Sequence, residues 1–131
     1  MAPTPSHRIL LIEDDADDQF FFMDALGLVA SGLQCQIAHD GVEALRHLDT
    51  FELPSLIFLD LNMPRMNGYE CLSRIRESAA KDVPVVVIST STNPRDKKRV
   101  KELGASIFLE KSGDHKKLRG QLAEIFSTFL V

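Results

Sequence analysis

The chain has 131 residues, of which 44% are hydrophobic and 26% are charged, a composition typical of one globular domain. Its formal net charge of −4 argues against a nucleic-acid partner. No apolar run reaches the ~18 residues of a transmembrane helix, and residues 1–7 lack the basic and apolar parts of a signal peptide. We expect the two cysteines, Cys35 and Cys71, to be buried, reduced thiols in a cytoplasmic protein without a membrane partner.

Strand and helix patterns alternate through the first half of the chain. The continuous apolar run Ile9–Ile12 predicts a strand that is buried on both faces, and a weaker run at Gln34–Ala38 predicts another. Residues 16–30 predict a strongly apolar helix that contains the three consecutive phenylalanines Phe20–Phe22. The three-residue spacing of apolar side chains over Val42–Leu48 indicates a second helix.

The same alternation continues through the second half. Two apolar runs, Leu56–Leu59 and Val85–Ile88, predict buried strands, and the spacing over Tyr69–Ile75 predicts a helix between them. Residues 94–103 form a polar, basic helical segment that Gly104 is expected to end. A weaker strand follows at Ile107–Leu109, and apolar residues recur at helical spacing from Leu118 to Phe129.

Five repeats of strand then helix predict an α/β fold with one doubly wound parallel sheet and helices on both faces. We expect residues 1–7 to form a poorly ordered tail and residues 8–131 to form a single domain. In open sheets of this type ligands bind beyond the carboxyl ends of the strands. The residues that follow each apolar run are therefore the candidates for a functional site.

Charged and hydroxyl side chains stand at four of these strand ends. Glu13 and Asp14 follow the first strand, and Asp60, Ser89 and Lys111 follow the third, fourth and fifth strands. Each of these residues alone has an ordinary explanation as a turn, capping or surface residue. Because the carboxyl ends of parallel strands share one edge of the sheet, however, we expect all five side chains to converge.

The expected cluster has the groups that phosphoryl transfer to a carboxylate requires. An aspartate can attack phosphorus and form an aspartyl phosphate. Mg²⁺ takes oxygen ligands and would relieve the repulsion among clustered carboxylates. A lysine ammonium neutralises charge on the phosphoryl oxygens, and a hydroxyl can donate a hydrogen bond to one of them.

Four stretches of the chain resemble the receiver domain of response regulators in two-component signalling. They are ILLIEDD, LIFLDLNMPRMNGYE, VPVVVISTS and GASIFLEK, and the resemblance covers residues 8 to about 129. It implies a flavodoxin-like, five-stranded parallel sheet in the order 2-1-3-4-5, an order that a receiver protein exemplifies. The Lys111–Ser112 pair and the segment ISTS are also similar to single-domain regulators that partner bacterial phytochromes.

The resemblance implies roles for the clustered residues. Asp60 would be the phosphoacceptor, and Mg²⁺ would bind Asp60 together with Asp14 directly, Glu13 through water and the backbone carbonyl of Asn62. Three further positions match a conserved hydroxyl, a conserved lysine and an aromatic switch residue, which are Ser89, Lys111 and Phe108.

Two positions depart from the family pattern. The family usually has a proline in a cis bond after the lysine, whereas Ser112 stands there in this chain, and a cis bond before a non-proline residue costs about 2.5–4 kcal/mol. The isomer of the Lys111–Ser112 bond is therefore left open. Thr90 follows Ser89 where the family often has a smaller residue, and it is expected to restrict access to the phosphoryl group.

The resemblance implies a stand-alone response regulator without enzymatic activity beyond self-dephosphorylation. Its partners would be a sensor histidine kinase, a phytochrome under the finer resemblance, and an unknown downstream protein. Two alternatives are a pseudo-receiver that acts as an unphosphorylated scaffold and a phosphatase with an aspartyl-phosphate intermediate. The intact acidic set argues against the scaffold, and Asn62 replaces the second aspartate that haloacid-dehalogenase phosphatases use.

The segment 94–103, the strand at 107–109 and the last helix are predicted to form the switching surface, which would also carry a homodimer contact. Helix 94–103 is locally basic and would attract acidic partners. Apolar residues near the C-terminus are expected either to remain exposed for a partner or to pack against the chain's own sheet. They are Phe126, Phe129, Leu130 and Val131.

Overall fold

A computed structural model describes residues 7–30, 32–50, 52–63 and 66–130. Strands and helices alternate strictly along the chain. The strands are β1 (Arg8–Ile12), β2 (Gln34–Ala38), β3 (Leu56–Asp60), β4 (Val85–Ser89) and β5 (Ile107–Glu110), and the helices are α1 (Ala16–Val29), α2 (Gly41–Thr50), α3 (Gly68–Arg76), α4 (Pro94–Glu102) and α5 (His115–Phe129). All ten predicted elements are confirmed.

The five strands form one parallel sheet in the order β2-β1-β3-β4-β5. The predicted flavodoxin-like, doubly wound fold is therefore confirmed. The register pairs Ile12 with Leu59 and Asp60 with Ile88, so the carboxyl ends of β1, β3 and β4 lie side by side. β3 and β4 are buried along their whole length, as continuous apolar strands in the middle of a parallel sheet should be.

Each face of the sheet covers a separate hydrophobic core. Alternate residues of the central strands point to α1 and α5 on one face and to α2, α3 and α4 on the other. On the α1/α5 face Phe58 packs between Phe22 and Phe126, with ring centroids 4.9 and 6.5 Å apart. On the other face Leu72 and Ile75 of α3 are completely buried.

Short polar side chains begin the helices just after the strand ends. The carboxylates of Asp15 and Asp114 and the side-chain carbonyls of Asn67 and Asn93 accept hydrogen bonds from backbone N–H groups in the first turns of α1, α5, α3 and α4. Gly104 follows α4 with a φ of +104°, which confirms the predicted helix end there. These caps fix the loops that carry the candidate site.

Three of the C-terminal apolar residues pack against the molecule's own core. Phe126 and Leu130 are buried in the α1/α5 core, and Phe129 is half-buried against it. Of the two alternatives that the sequence left open, these three side chains therefore follow the second, since α5 uses them to cover the chain's own sheet. The largest exposed apolar side chain of the described residues is instead Phe20 on α1, which is 75% exposed.

Two predictions concern the chain ends and membranes. Residues 1–6 of the predicted tail, and Val131, lie outside the described residues, so the tail and the single-domain boundary at residues 8–131 stay predictions. Among the helices that the structure describes, none is both long enough and apolar enough to cross a membrane.

Candidate functional site

Three carboxylates meet at the carboxyl ends of β1 and β3. Oxygens from Glu13, Asp14 and Asp60 all lie within 4.8 Å of one another. Glu13 and Asp60 are 4% and 5% exposed, and Asp14 faces solvent. The Glu13 N–H donates to Ala38 O at 3.0 Å, which anchors the β1–α1 loop beside β2. The predicted convergence of these three acidic side chains is seen in the structure.

Lys111 supplies the positive charge of this cluster from the end of β5. Its Nζ lies 3.0 Å from Glu13 Oε1, 2.9 Å from Asp18 Oδ2 and 3.5 Å from Asp60 Oδ2. Burial alone would lower the pKa of Lys111, but hydrogen bonds to Asp18 and Glu13 and the charge of Asp60 raise it above its usual value. Lys111 is therefore a permanent cation at this site.

Asp18 is a member of the cluster that sequence reasoning missed. It lies in the first turn of α1, where its N–H donates to the capping carboxylate of Asp15 at 3.0 Å. Its own carboxylate accepts a hydrogen bond from the Lys111 ammonium at 2.9 Å. A signal was available, because an acidic residue three positions after a helix-capping aspartate is well placed beside the preceding strand end.

Burial and the clustering of carboxylates raise the pKa of Glu13. Burial, and then the hydrogen bond and negative charge of Asp60, raise the pKa of Glu13 to about 8, although Lys111 opposes the shift. Two buried carboxylates in contact cannot both hold a full charge without further compensation. A hard divalent cation offers that compensation, and the oxygen donors present are those that Mg²⁺ prefers.

The β3–α3 loop holds Asp60 from the other side. The Asn62 N–H donates to Asp60 Oδ1 at 3.2 Å, and the Gly68 N–H donates to Leu61 O at 2.8 Å. A Cβ at Gly68 would lie 2.9 Å from the carbonyl oxygen of Asp60 and closer still to the Leu61 Cα. Only glycine therefore allows α3 to begin this close to the strand that carries Asp60.

Ser89 is the last residue of β4, next to β3, and is 1% exposed. Its Oγ accepts a hydrogen bond from the Ser91 N–H at 3.0 Å. Its carbonyl accepts a hydrogen bond from the Lys111 N–H at 2.7 Å, which joins the ends of β4 and β5.

The two positions that depart from the family pattern are also described. The side chain of Thr90 is exposed. The described residues contain no cis peptide bond, so the Lys111–Ser112 bond, which the sequence left open, is trans.

Phe108 does not join the acidic cluster. Its half-buried ring packs against the core on the α2–α4 face, where the ammonium of Lys97 lies 5.7 Å from the ring centroid. Alternate residues of a strand share one face of the sheet, so Lys111 lies on the same face as Ile107 and Leu109, which pack on the α1/α5 face. The sheet therefore separates the candidate switch residue from the charged groups around Asp60.

The response regulator receiver domain family matches residues 9–123 of the chain. The chain belongs to this family. It is therefore a receiver domain of two-component signalling, a class of domain that histidine kinases phosphorylate. The comparisons favour neither the scaffold nor the phosphatase alternative.

Individual relatives support this assignment over most of the chain. The response regulator Rcp1 of Synechocystis sp. is 33% identical over 133 residues, which cover 96% of this chain and 90% of that protein. A crystal structure of the phosphorylated cyanobacterial phytochrome response regulator RcpA is 32% identical, with a TM-score of 0.84 and 95% of each chain covered.

A third relative shows the same domain within a longer protein. A protein-glutamate methylesterase/protein-glutamine glutaminase of Rhodospirillum rubrum is 38% identical over 103 residues, or 79% of this chain. The chain spans 24% of the length of that relative. The similarity to it therefore concerns a receiver domain and not the esterase or glutaminase activity in its name.

Proposed function

We propose that Asp60 is the residue that accepts the phosphoryl group from a phosphohistidine of a sensor histidine kinase. The groups that surround Asp60 support this proposal best. Asp60 is a buried carboxylate that lies beside two others, with the permanent cation Lys111 3.5 Å away. In the transfer an Asp60 oxygen forms a bond to phosphorus, and the P–N bond breaks with its electron pair passing to the imidazole nitrogen.

The side chains around Asp60 would stabilise the charge that moves during this step. Lys111 would face the phosphoryl oxygens and exchange part of its contact with Glu13 for them. The Ser89 hydroxyl would donate to another phosphoryl oxygen. Asp60, Asp14, the Asn62 carbonyl and, through water, Glu13 would hold Mg²⁺, which when bound supplies further positive charge. A solved structure of Rcp1, 33% identical, is described as its Mn²⁺-bound form.

We further propose that the output passes through Ser89 and Phe108 to the surface of α4, β5 and α5. Movement of Ser89 towards the phosphoryl group would leave space for the Phe108 ring, and the two arrangements form a two-state element that phosphorylation biases. Exposed basic side chains on α4 would meet an acidic partner or a second copy of the chain. These side chains belong to Arg95, Lys97, Lys98, Arg99 and Lys101.

The partners and location follow from the same proposal. Because RcpA is a phytochrome response regulator, a phytochrome-type histidine kinase is the proposed phosphodonor. The chain would have no enzymatic activity of its own beyond hydrolysis of its aspartyl phosphate. Its free thiols, Cys35 and Cys71, fit the reducing environment of the cytoplasm, where we place it.

Phosphorylation of Asp60→Asn tests the proposed function. The parent chain with Mg²⁺ and acetyl phosphate should gain one phosphoryl group, detected on phosphate-affinity gels, and the variant should gain none. The amide has nearly the same shape as the carboxylate but is not a nucleophile for phosphorus, so thermal unfolding should show a folded variant. Asp49→Asn, an exposed change on α2, is the matched control. Full labelling of Asp60→Asn would move the acceptor to another carboxylate.

A further inference from the structure

A chain of hydrogen bonds connects helix α3 to Ser89. The Tyr69 hydroxyl donates to Asp96 Oδ1 at 2.8 Å, and the Ser91 hydroxyl donates to Asp96 Oδ2. The Ser91 N–H in turn donates to Ser89 Oγ. Asp96 therefore accepts one hydroxyl from α3 and one from the β4–α4 loop. The side chains of Tyr69, Ser91 and Asp96 lie outside the group of charged residues around Asp60.

Further contacts hold two members of this series of hydrogen bonds, Tyr69 and Ser91. The Arg99 guanidinium lies over the Tyr69 ring, 4.1 Å from its centroid, and keeps the ring against α4. The Asn93 N–H donates to Ser91 Oγ at 3.1 Å. Hydrogen bonds from Ser91 and Tyr69 lower the pKa of Asp96, so the carboxylate that accepts both hydroxyls is ionised at neutral pH.

The Asp96 contacts are not needed to begin the helix. Asn93 already caps α4 through a hydrogen bond from the Arg95 N–H, and Pro94 fits the first turn. An acidic residue at position 96 would favour the helix N-terminus from an exposed position. In this structure both of its oxygens are used instead to join two other elements, Tyr69 from α3 and Ser91 from the loop.

We propose that Tyr69 and Asp96 are positioning residues that hold Ser91, and through its N–H the Ser89 hydroxyl, where that hydroxyl can meet the phosphoryl group. The Ser91 N–H occupies one lone pair of the Ser89 oxygen and thereby orients its O–H for donation elsewhere. Holding a participating group in the right orientation raises the rate of a reaction. This inference rests on the proposed function and deepens the role of Ser89 within it.

The test compares Tyr69→Phe and Ser91→Ala with the parent chain, using acetyl phosphate and saturating Mg²⁺. Each variant should be phosphorylated about fivefold more slowly at saturating acetyl phosphate, the effect of one ordinary hydrogen bond. The half-saturating acetyl phosphate concentration and the Mg²⁺ affinity should not change, because neither residue touches the acidic cluster. Thr128→Ala, which removes a hydroxyl from the distant part of α5, should behave as the parent.

A double-mutant cycle separates positioning of Ser89 from a general structural role. In a Ser89→Ala background, Tyr69→Phe should cause no further loss of rate, because the group that it positions is gone. Losses that add, or a Tyr69→Phe variant with the parent rate, would overturn this inference alone. A Ser89→Ala chain with the parent rate would overturn it as well and leave Asp60 as the acceptor. A parent chain that takes up no phosphoryl group would overturn the proposed function and, with it, this inference.

Discussion

At the scale of single residues, a substitution of Lys111 should affect phosphoryl transfer much more than metal binding. Its ammonium contacts Asp18 and two of the proposed metal ligands, Glu13 and Asp60, but it offers no oxygen to the metal itself. Lys111→Ala should lower the phosphorylation rate by roughly a hundredfold, a loss typical of one charge-stabilising donor. Mg²⁺ binding, followed by amide chemical shifts, should remain largely in place. Lys116→Ala, an exposed change on α5, is the control, and equal losses in both variants would contradict this role.

A substitution of Gly68 tests whether the close approach of α3 to the strand that carries Asp60 requires glycine. Because a Cβ at this position meets the backbone of Asp60 and Leu61, Gly68→Ala should reduce the free energy of unfolding by about 1–3 kcal/mol, as overpacking does. Urea denaturation measures this directly. At Gly120 on α5 an added Cβ meets nothing, so Gly120→Ala should stabilise the chain by up to ~1 kcal/mol. Equal free energies of unfolding for the two variants would contradict the steric requirement for glycine at position 68.

At the scale of elements, Arg76 ties the end of α3 to two loops. Its guanidinium donates to Gly104 O at 2.7 and 3.0 Å, Lys81 O at 2.9 Å and Val83 O at 2.7 Å. A lysine cannot reach carbonyls on opposite sides at once. Arg76→Lys should therefore lower the free energy of unfolding by about 1–3 kcal/mol, as measured by urea denaturation.

The neighbouring Arg74 provides the matched control for that experiment. It is exposed and pairs with Glu70 one turn away on α3 at 3.3 Å. Such surface pairs contribute little, so Arg74→Lys should change the free energy of unfolding by less than about 0.5 kcal/mol. A small effect at Arg76 as well would mean that water replaces its bonds to the loops.

The elements themselves were predictable because their pattern is local. The runs Leu56–Leu59 and Val85–Ile88 are apolar at every position, as a strand that is covered on both faces requires. The clustering of Glu13, Asp60 and Lys111 followed from the parallel topology, which brings those strand ends to one edge.

Contacts between distant side chains could not be predicted in this way. Tyr69 and Asp96 are 27 positions apart, and no periodicity indicates that they meet. The contacts of Arg76 with Gly104 have the same character. The apolar helix α1 was predicted as an element, but its composition does not show which face is covered, and Phe20 is exposed. Likewise Phe126 and Leu130 pack inward because α5 needs them to cover the sheet.

At the scale of the whole molecule, metal binding should be visible as stability. A ligand that binds only the folded state stabilises it by ~2.7 kcal/mol at a hundred times its Kd. Mg²⁺ should therefore raise the Tm of the chain, and removal with EDTA should reverse the rise. The increase should shrink in Asp14→Asn, which lacks a proposed ligand, but not in Asp17→Asn, an exposed change on α1. An equal increase in both variants would mean that the ion acts elsewhere.

The proposed homodimer is also a property of the whole molecule. Since Phe126 and Leu130 are buried, we expect the contact to rely on exposed side chains of α4, β5 and α5. In a symmetric dimer the basic face of α4 would meet exposed acidic residues of the second copy, such as Glu110 on β5 and Glu124 on α5. Charge pairs of this kind steer association and weaken as the salt concentration rises.

Sedimentation velocity with and without the phosphoryl mimic beryllofluoride tests this contact. The chain should shift from monomer towards dimer when beryllofluoride binds, because under the proposed switch the mimic would bias the arrangement of Ser89 and Phe108 beneath that surface. Lys98→Glu combined with Lys101→Glu should abolish the shift, whereas Lys81→Glu, an exposed change outside the face, should preserve it. If the chain sediments as a monomer in both states at high micromolar concentration, phosphorylation must act through a different partner on this surface.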